Sequence, residues 1–201
     1  MTSGLRIVAG SLRGRRIDAP PASTTRPITD RVKESLFNSL GARLGTLSQL
    51  PPFDVLDLFA GSGSIGIEAL SRGARHCVFV EHDRRVVRVL RSNLAKCKLS
   101  DRAGIICQNA WSMRPPKADA DGFGLIFVDP PYRDSTNVNR LSDLLDRFAA
   151  RLTSRGTMVV RHGPGVSLPD RTPGGLTCTD HRTRRDMHVL LFERIGDGDD
   201  G

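Results

Sequence analysis

From residue 53 onward the chain alternates strand-like apolar runs with amphipathic ones, and this constrains its fold more than any other feature. Strand-like runs occupy 53–59, 76–81, 103–107, 125–129 and 157–161. Between them, 64–72, 84–98 and 138–152 read as helices. The last of these places Val138, Leu141, Leu145, Phe148 and Leu152 on one face, the period of a helix packed by one side. Two late runs, 175–180 and 187–194, fit a terminal strand pair. Regular alternation of this kind gives parallel strands with helical crossovers. The predicted fold is therefore α/β, a seven-stranded, mostly parallel sheet with helices on both faces. Residues 112–123, with Pro115, Pro116 and an acidic run, read as a loop.

The segment before residue 53 is different. Residues 1–25 are basic and rich in Gly and Pro, and 12–17 read as a short hairpin around Gly14. A helix is predicted over 29–44, with Thr29 or Asp30 as N-cap and Val32, Leu36, Leu40 and Leu44 as its apolar stripe. The expected organisation is a basic N-terminal hairpin and helix (1–50), a main domain (51–195), and a disordered acidic tail (196–201).

The 201 residues carry a formal charge of +8, which favours a polyanionic partner, nucleic acid first. Arg13, Arg15 and Arg16 lie on a short segment with few acids and read as phosphate contacts. Arg84, Arg88 and Arg91 share a helix face and read as solvated. The four cysteines, Cys77, Cys97, Cys107 and Cys178, lack metal spacing. Cys77 and Cys107 lie in strand-like runs and read as small buried hydrophobes of a reducing compartment. The histidines show no ligand spacing, so no metal is expected. The chain shows no apolar leader and no window near the roughly 18 apolar residues of a membrane span. A cytoplasmic monomer is expected.

Two motifs carry the chemistry. The first, Asp57-Leu58-Phe59-Ala60-Gly61-Ser62-Gly63-Ser64-Ile65-Gly66, closes a strand and opens a helix. Gly61 suits the tight turn, Gly63 a close approach to a ligand, and Gly66 close helix–strand packing. Glu81 ends the next strand and can accept both hydroxyls of a ribose. Asp83, the competing acid, reads as the cap of the following helix. Asp57 can receive an ammonium or bond loop amides, and Asn109-Ala110 can contact the edge of an adenine. Ala60, Gly61, Ser62 and Gly63 thus form a nucleoside loop, for either a dinucleotide or S-adenosylmethionine.

The second motif decides between them. Asp129-Pro130-Pro131-Tyr132 follows the run Leu125-Ile126-Phe127-Val128. Neither proline has an N–H for a sheet ladder, so the chain must turn away at the carboxyl edge, where open α/β sheets bind ligands. An exocyclic amine is a poor nucleophile because its lone pair is delocalised into the ring. The Asp129 carboxylate and the Pro130 carbonyl can accept its two N–H groups and turn the lone pair toward a methyl sulfonium. Tyr132 can stack on the target base. Methyl transfer from S-adenosylmethionine to an amino nitrogen, leaving S-adenosylhomocysteine, is the expected chemistry.

These residues resemble the Rossmann-like S-adenosylmethionine-dependent methyltransferases. More closely they resemble the bacterial RsmD family, which methylates one guanine of 16S ribosomal RNA at its 2-amino group. Carrying the closer resemblance are Arg6-Ile7-Val8-Ala9-Gly10-Ser11-Leu12-Arg13-Gly14-Arg15 and the segment from Thr25 to Asn38. Glu68-Ala69-Leu70-Ser71-Arg72-Gly73-Ala74 also fits, and the likeness runs from about residue 6 to 162. It implies that Arg26, Thr29 and Arg31 cover the methionine end of the cofactor and that the basic hairpin meets RNA. The implied partner is 16S ribosomal RNA, as the small subunit or an assembly intermediate. Two segments depart from the family, the proline-bearing loop at 112–123 and the stretch 183–188. Rival readings keep the chemistry but change the acceptor, to adenine N6 in DNA or a glutamine amide in a protein. Others replace it, with a nicotinamide oxidoreductase or a non-catalytic RNA-binding module.

Overall fold

A computed structural model describes residues 5–20, 28–47, 49–118, 121–131, 133–184 and 187–194. The expected tail at 196–201 lies outside them. The chain divides into two compact units, residues 1–110 and 111–201, so the N-terminal segment groups with the first half of the main domain.

In the first unit, β1 (Leu5–Arg6) pairs antiparallel with β2 (Arg16–Ile17). The expected hairpin exists around Gly14, but its first strand is Leu5–Arg6, ahead of the span 12–17; only β2 falls within it. Gly14 N–H donates to the Ile7 carbonyl and Ile7 N–H to the Arg15 carbonyl, which widens the loop. Helix α1 (Asp30–Arg43) starts on Thr29 as expected. Its buried face holds Leu36 and Leu40, but Lys33 and Phe37 take the places assigned to Val32 and Leu44, which are half-exposed.

Strands β3 (Asp54–Leu58), β4 (His76–Val80) and β5 (Ala103–Ile106) run parallel in the order β5-β4-β3. Every residue of β3 is buried, as a strand covered on both faces requires. Helix α2 (Ser64–Ser71) is buried along its whole length, and α3 (Arg84–Cys97) buries Val87, Leu90, Leu94 and Cys97 as one stripe. Cys77 is buried as expected; Cys107 falls just past β5 and is exposed.

In the second unit, β6 (Phe123–Val128) runs parallel to β7 (Leu152–His162), and β9 (Met187–Arg194) pairs antiparallel with both β7 and β8 (Leu176–Arg184). Strands β3 to β9 make up the seven-stranded, mostly parallel sheet. Helix α4 (Val138–Ala149) buries Leu141, Leu144, Leu145 and Phe148; Leu152, expected on its face, instead opens β7. Strand β7 is 11 residues long, because Leu152 reaches back to pair with Phe123 across a bulge. Among the described residues no helix is long and apolar enough to cross a membrane.

Candidate active site

The first unit builds the loop expected to take a nucleoside. After β3 the backbone reverses through Phe59, at φ 65°, and Gly61, at φ 57°. A non-glycine residue in that region costs roughly 1–3 kcal/mol, a strain that persists only where neighbours enforce it. Here Ala60 N–H donates to the Val80 carbonyl and Gly63 N–H to the Ala60 carbonyl, pinning the loop between two strand ends. A Cβ on Gly66 would lie 2.3 Å from Phe79 and 2.8 Å from the Cys77 sulfur, so this glycine does serve helix–strand packing. A Cβ on Gly63 would strike Leu90 at 2.5 Å, whereas one on Gly61 would meet nothing within 4 Å. The open backbone position is therefore Gly61.

Glu81 stands one residue beyond β4 and is 8% exposed. Its Oε2 accepts the Gly61 N–H at 3.0 Å and its Oε1 accepts the Asp83 N–H at 2.8 Å. His82 Nδ1 also lies 3.2 Å from Oε1, so of about four acceptor directions the free capacity is chiefly on Oε2. Asp83 caps α3, as expected, by accepting the Arg85 N–H. The Arg85 side chain, followed by its backbone N–H, holds the Asp83 carboxyl down at about 2. Asp57 is 1% exposed and its Oδ2 accepts the Gly66 N–H at 3.0 Å, which ties β3 to α2. Ser62 and Ala110 are buried and Asn109 is exposed. The Ser64 hydroxyl, at the start of α2, is buried without a hydrogen-bond partner among the described residues.

Thr29 and Arg31 are exposed at the start of α1, and Arg26 lies outside the described residues. Arg13, Arg15 and Arg16 are exposed on the hairpin, but Arg15 Nη1 donates to the Lys96 carbonyl at 2.7 Å, closing the end of α3. Sequence reading missed Asn93. Fully buried, it donates from Nδ2 to the Asp18 carbonyl at 2.9 Å and to the Ser62 carbonyl at 3.0 Å, and accepts the Asp18 N–H at 2.9 Å. One side-chain amide thus joins hairpin, α3 and glycine loop. The only available signal was a polar residue amid the apolar stripe of α3.

In the second unit the chain leaves β6 at Val128 and turns, as the two prolines require. The Pro131 carbonyl accepts the Asp134 N–H at 2.8 Å and the Ser135 N–H at 3.1 Å. The Pro130 carbonyl accepts from none of the described residues, which leaves it available. Tyr132 lies outside the described residues. The Asp129 carboxylate meets Arg161, a second residue that the sequence did not reveal. Arg161 Nε donates to Oδ1 at 2.6 Å and Nη2 to Oδ2 at 2.5 Å, with the two side chains 12% and 14% exposed. The register explains the pairing. Val128 is opposite Val160, so the next residues on β6 and β7 face one another.

His162, for which the sequence offered no role, is 1% exposed. Its ring stacks on His188 at 4.9 Å, its Nδ1 lies 2.7 Å from the Gly163 carbonyl, and His181 Nε2 lies 2.9 Å from His188 Nδ1. Burial pushes its pKa below the ordinary imidazole value, against the pull of the Gly163 carbonyl. Trp111 packs under the Arg140 guanidinium at 4.3 Å.

The chain was compared with known proteins. A family model described as Conserved hypothetical protein 95 matches residues 5–193. YlbH of Bacillus subtilis, named as a candidate rRNA methyltransferase, is 38% identical over 96% of this chain and 100% of its own length. The Ribosomal RNA small subunit methyltransferase D of Escherichia coli is 40% identical over a segment covering 64% of this chain and 61% of that protein. Among solved structures, yhhF of Escherichia coli, described as a candidate methyltransferase, superposes with a TM-score of 0.77 at 31% identity, covering 96% of this chain and 98% of that one. The chain belongs to the Conserved hypothetical protein 95 family, the RsmD family.

Proposed function

We propose that this protein transfers a methyl group from S-adenosylmethionine to the 2-amino group of a guanine in 16S ribosomal RNA, in the cytoplasm, during maturation of the small subunit. The observation that carries this reading is the pair of acceptors left by the Asp-Pro-Pro turn, the Asp129 carboxylate and the Pro130 carbonyl that accepts from none of the described residues, in a chain that shares its family with small-subunit RNA methyltransferases.

S-adenosylmethionine, when bound, supplies an electrophilic methyl group on a sulfonium. Gly61, whose would-be Cβ meets nothing, lets backbone approach the nucleoside. Glu81 accepts the ribose hydroxyls, chiefly on Oε2 beside the Gly61 amide, with exposed His82 able to yield Oε1. Ser64 offers its unpartnered hydroxyl, and Asn109-Ala110 meet the adenine edge. Arg26, Thr29 and Arg31 cover the methionine end. Arg13, Arg15 and Arg16 contact RNA phosphate.

Asp129 and the Pro130 carbonyl each accept one N–H of the guanine amine, which turns its lone pair outward. This is positioning and electrostatics, with no proton removed before transfer, because the nitrogen becomes acidic only once methylated. Tyr132 stacks on the extruded base. Arg161 fixes the plane of the Asp129 carboxylate through a two-pronged contact and still leaves lone pairs on both oxygens.

The test is tritiated methyl transfer from S-adenosylmethionine into undermethylated small subunits, duplex DNA and a release factor, followed by mapping of the modified nucleotide. Label on a 16S guanine N2 is expected. Label only on adenine N6 or on glutamine would reject the acceptor while keeping the chemistry.

A further inference from the structure

Helix α3 is unusually basic for a helix with one face in solvent. From Arg84 to Ser100 there are six cations and no acid. Arg84, Arg88 and Arg91 recur at helical spacing along about 10 Å of helix, and Lys98 follows at the left-handed C-cap; all four are exposed. None has an acidic partner among the described residues. Like charges three and four residues apart destabilise a helix. Cations in the first turn, where Arg84 and Arg85 stand, also oppose the helix dipole. A merely solvated face would intersperse glutamates; this face keeps both penalties.

The N-terminal hairpin adds cations beside the C-terminal end of α3. It is fastened to the C-terminal end of α3 by Arg15 on the Lys96 carbonyl, by the Lys96–Asp18 ion pair, and by Asn93 on the Asp18 backbone. Arg13 and Arg16 are exposed there and also lack acidic partners among the described residues. The acids flanking the first turn of α3 and the second hairpin strand are already engaged, and Asp101 lies beyond the end of α3. Asp18 is paired with Lys96, and Asp83 with Arg85 and the helix cap. Arg84, Arg88 and Arg91 therefore form one positive row on a rigid helix, with Lys98 at its C-cap and Arg13 and Arg16 exposed on the hairpin fastened to the same helix.

We infer that α3 and the hairpin together are the docking surface for the RNA, and that Arg84, Arg88, Arg91 and Lys98 contact the phosphates of a double-helical segment apart from the target guanine. The partner is set by charge complementarity. Arginines at helical spacing match a row of phosphates without reading sequence, so this surface supplies affinity and orientation while the Asp129 turn supplies chemistry. The inference rests on the proposed function for its choice of RNA.

The experiment compares wild type with Arg84→Gln/Arg88→Gln/Arg91→Gln, all surface changes that leave the buried stripe intact. Binding to a short RNA duplex and to transcribed 16S RNA is titrated between about 50 and 200 mM salt. The salt slope should fall by about 2–3 and affinity by about 10–100-fold, since each lost phosphate contact removes nearly one released counterion. KM for RNA should rise by a similar factor, with kcat and S-adenosylhomocysteine affinity unchanged. An unchanged slope and affinity would overturn the inference. Loss of binding to anionic phosphatidylglycerol vesicles or to polyglutamate, with RNA binding intact, would also overturn it. A wild type that binds RNA through this surface but methylates none would sink the proposed reaction and leave the surface standing.

Discussion

Glu68 in the first unit and Asp129 in the second are both carboxylates set against an arginine, yet one is saturated and the other is not. Glu68 Oε1 accepts from Ala9 N–H at 3.0 Å and Arg72 Nε at 2.8 Å; its Oε2 accepts from Val8 N–H at 2.8 Å and lies 3.7 Å from Lys33 Nζ. Glu68, Arg72 and Lys33 are all fully buried. Burial pulls the Lys33 pKa below the ordinary lysine value, and Glu68 is the main force opposing it. Asp129 has one two-pronged partner, stands at a sheet edge and keeps partial exposure. A carboxylate with every direction filled holds the fold; one with directions left over is available to a ligand.

The comparison can be broken in four places. The largest expected effect is Asp129→Ala, which should lower methyl transfer at least about 10³-fold while S-adenosylhomocysteine affinity, measured calorimetrically, stays within a factor of two or so. Full activity would remove Asp129 from the chemistry. Next, Glu68→Gln should cost about 3–5 kcal/mol in urea denaturation, because it strands Lys33 and Arg72 in the core. A midpoint like that of wild type would show that the buried cluster is not structural.

Arg161→Met sharpens the contrast. It should reduce kcat about 10²-fold, from a carboxylate free to rotate, with the KM for cofactor little changed. If stability fell and kcat did not, Asp129 would be a structural acid like Glu68. The smallest effect concerns His162. Its pKa is lowered in the fold, so the unfolded chain takes up the proton first as pH falls through about 6.5. The stability present above that pH is then lost below it. The urea midpoint should drop between about pH 7.5 and pH 5.5 in wild type, and His162→Gln should flatten that drop. An equal slope in both proteins would place the titration elsewhere.

Much of this was legible in the sequence. The order of strands and helices, the helix cap at Asp83, the packing role of Gly66 and the turn at Asp129 all follow from local rules that act within a few residues. What escaped depends on register between distant segments. Arg161 meets Asp129 only because Val128 and Val160 are neighbours across two strands. Lys33 was invisible as a core residue because its partners, Glu68 and the Arg6 carbonyl, come from other segments. Asn93 looked like an interruption in an apolar stripe until its two carbonyl partners, at Asp18 and Ser62, were in view. The roles of Gly61 and Gly63 could not be separated by spacing, since only the position of Leu90 decides which of them faces open space.

The clasp between Val8, Ala9 and Glu68 spans 60 and 59 residues of chain. At cellular rates of synthesis those residues are separated by about 3–12 s, so the opening segment is made long before the side chain that will secure it. Synthesis runs from the hairpin forward, but its anchoring must wait for α2. A segment translated early is thus locked in place only once a later one has followed it.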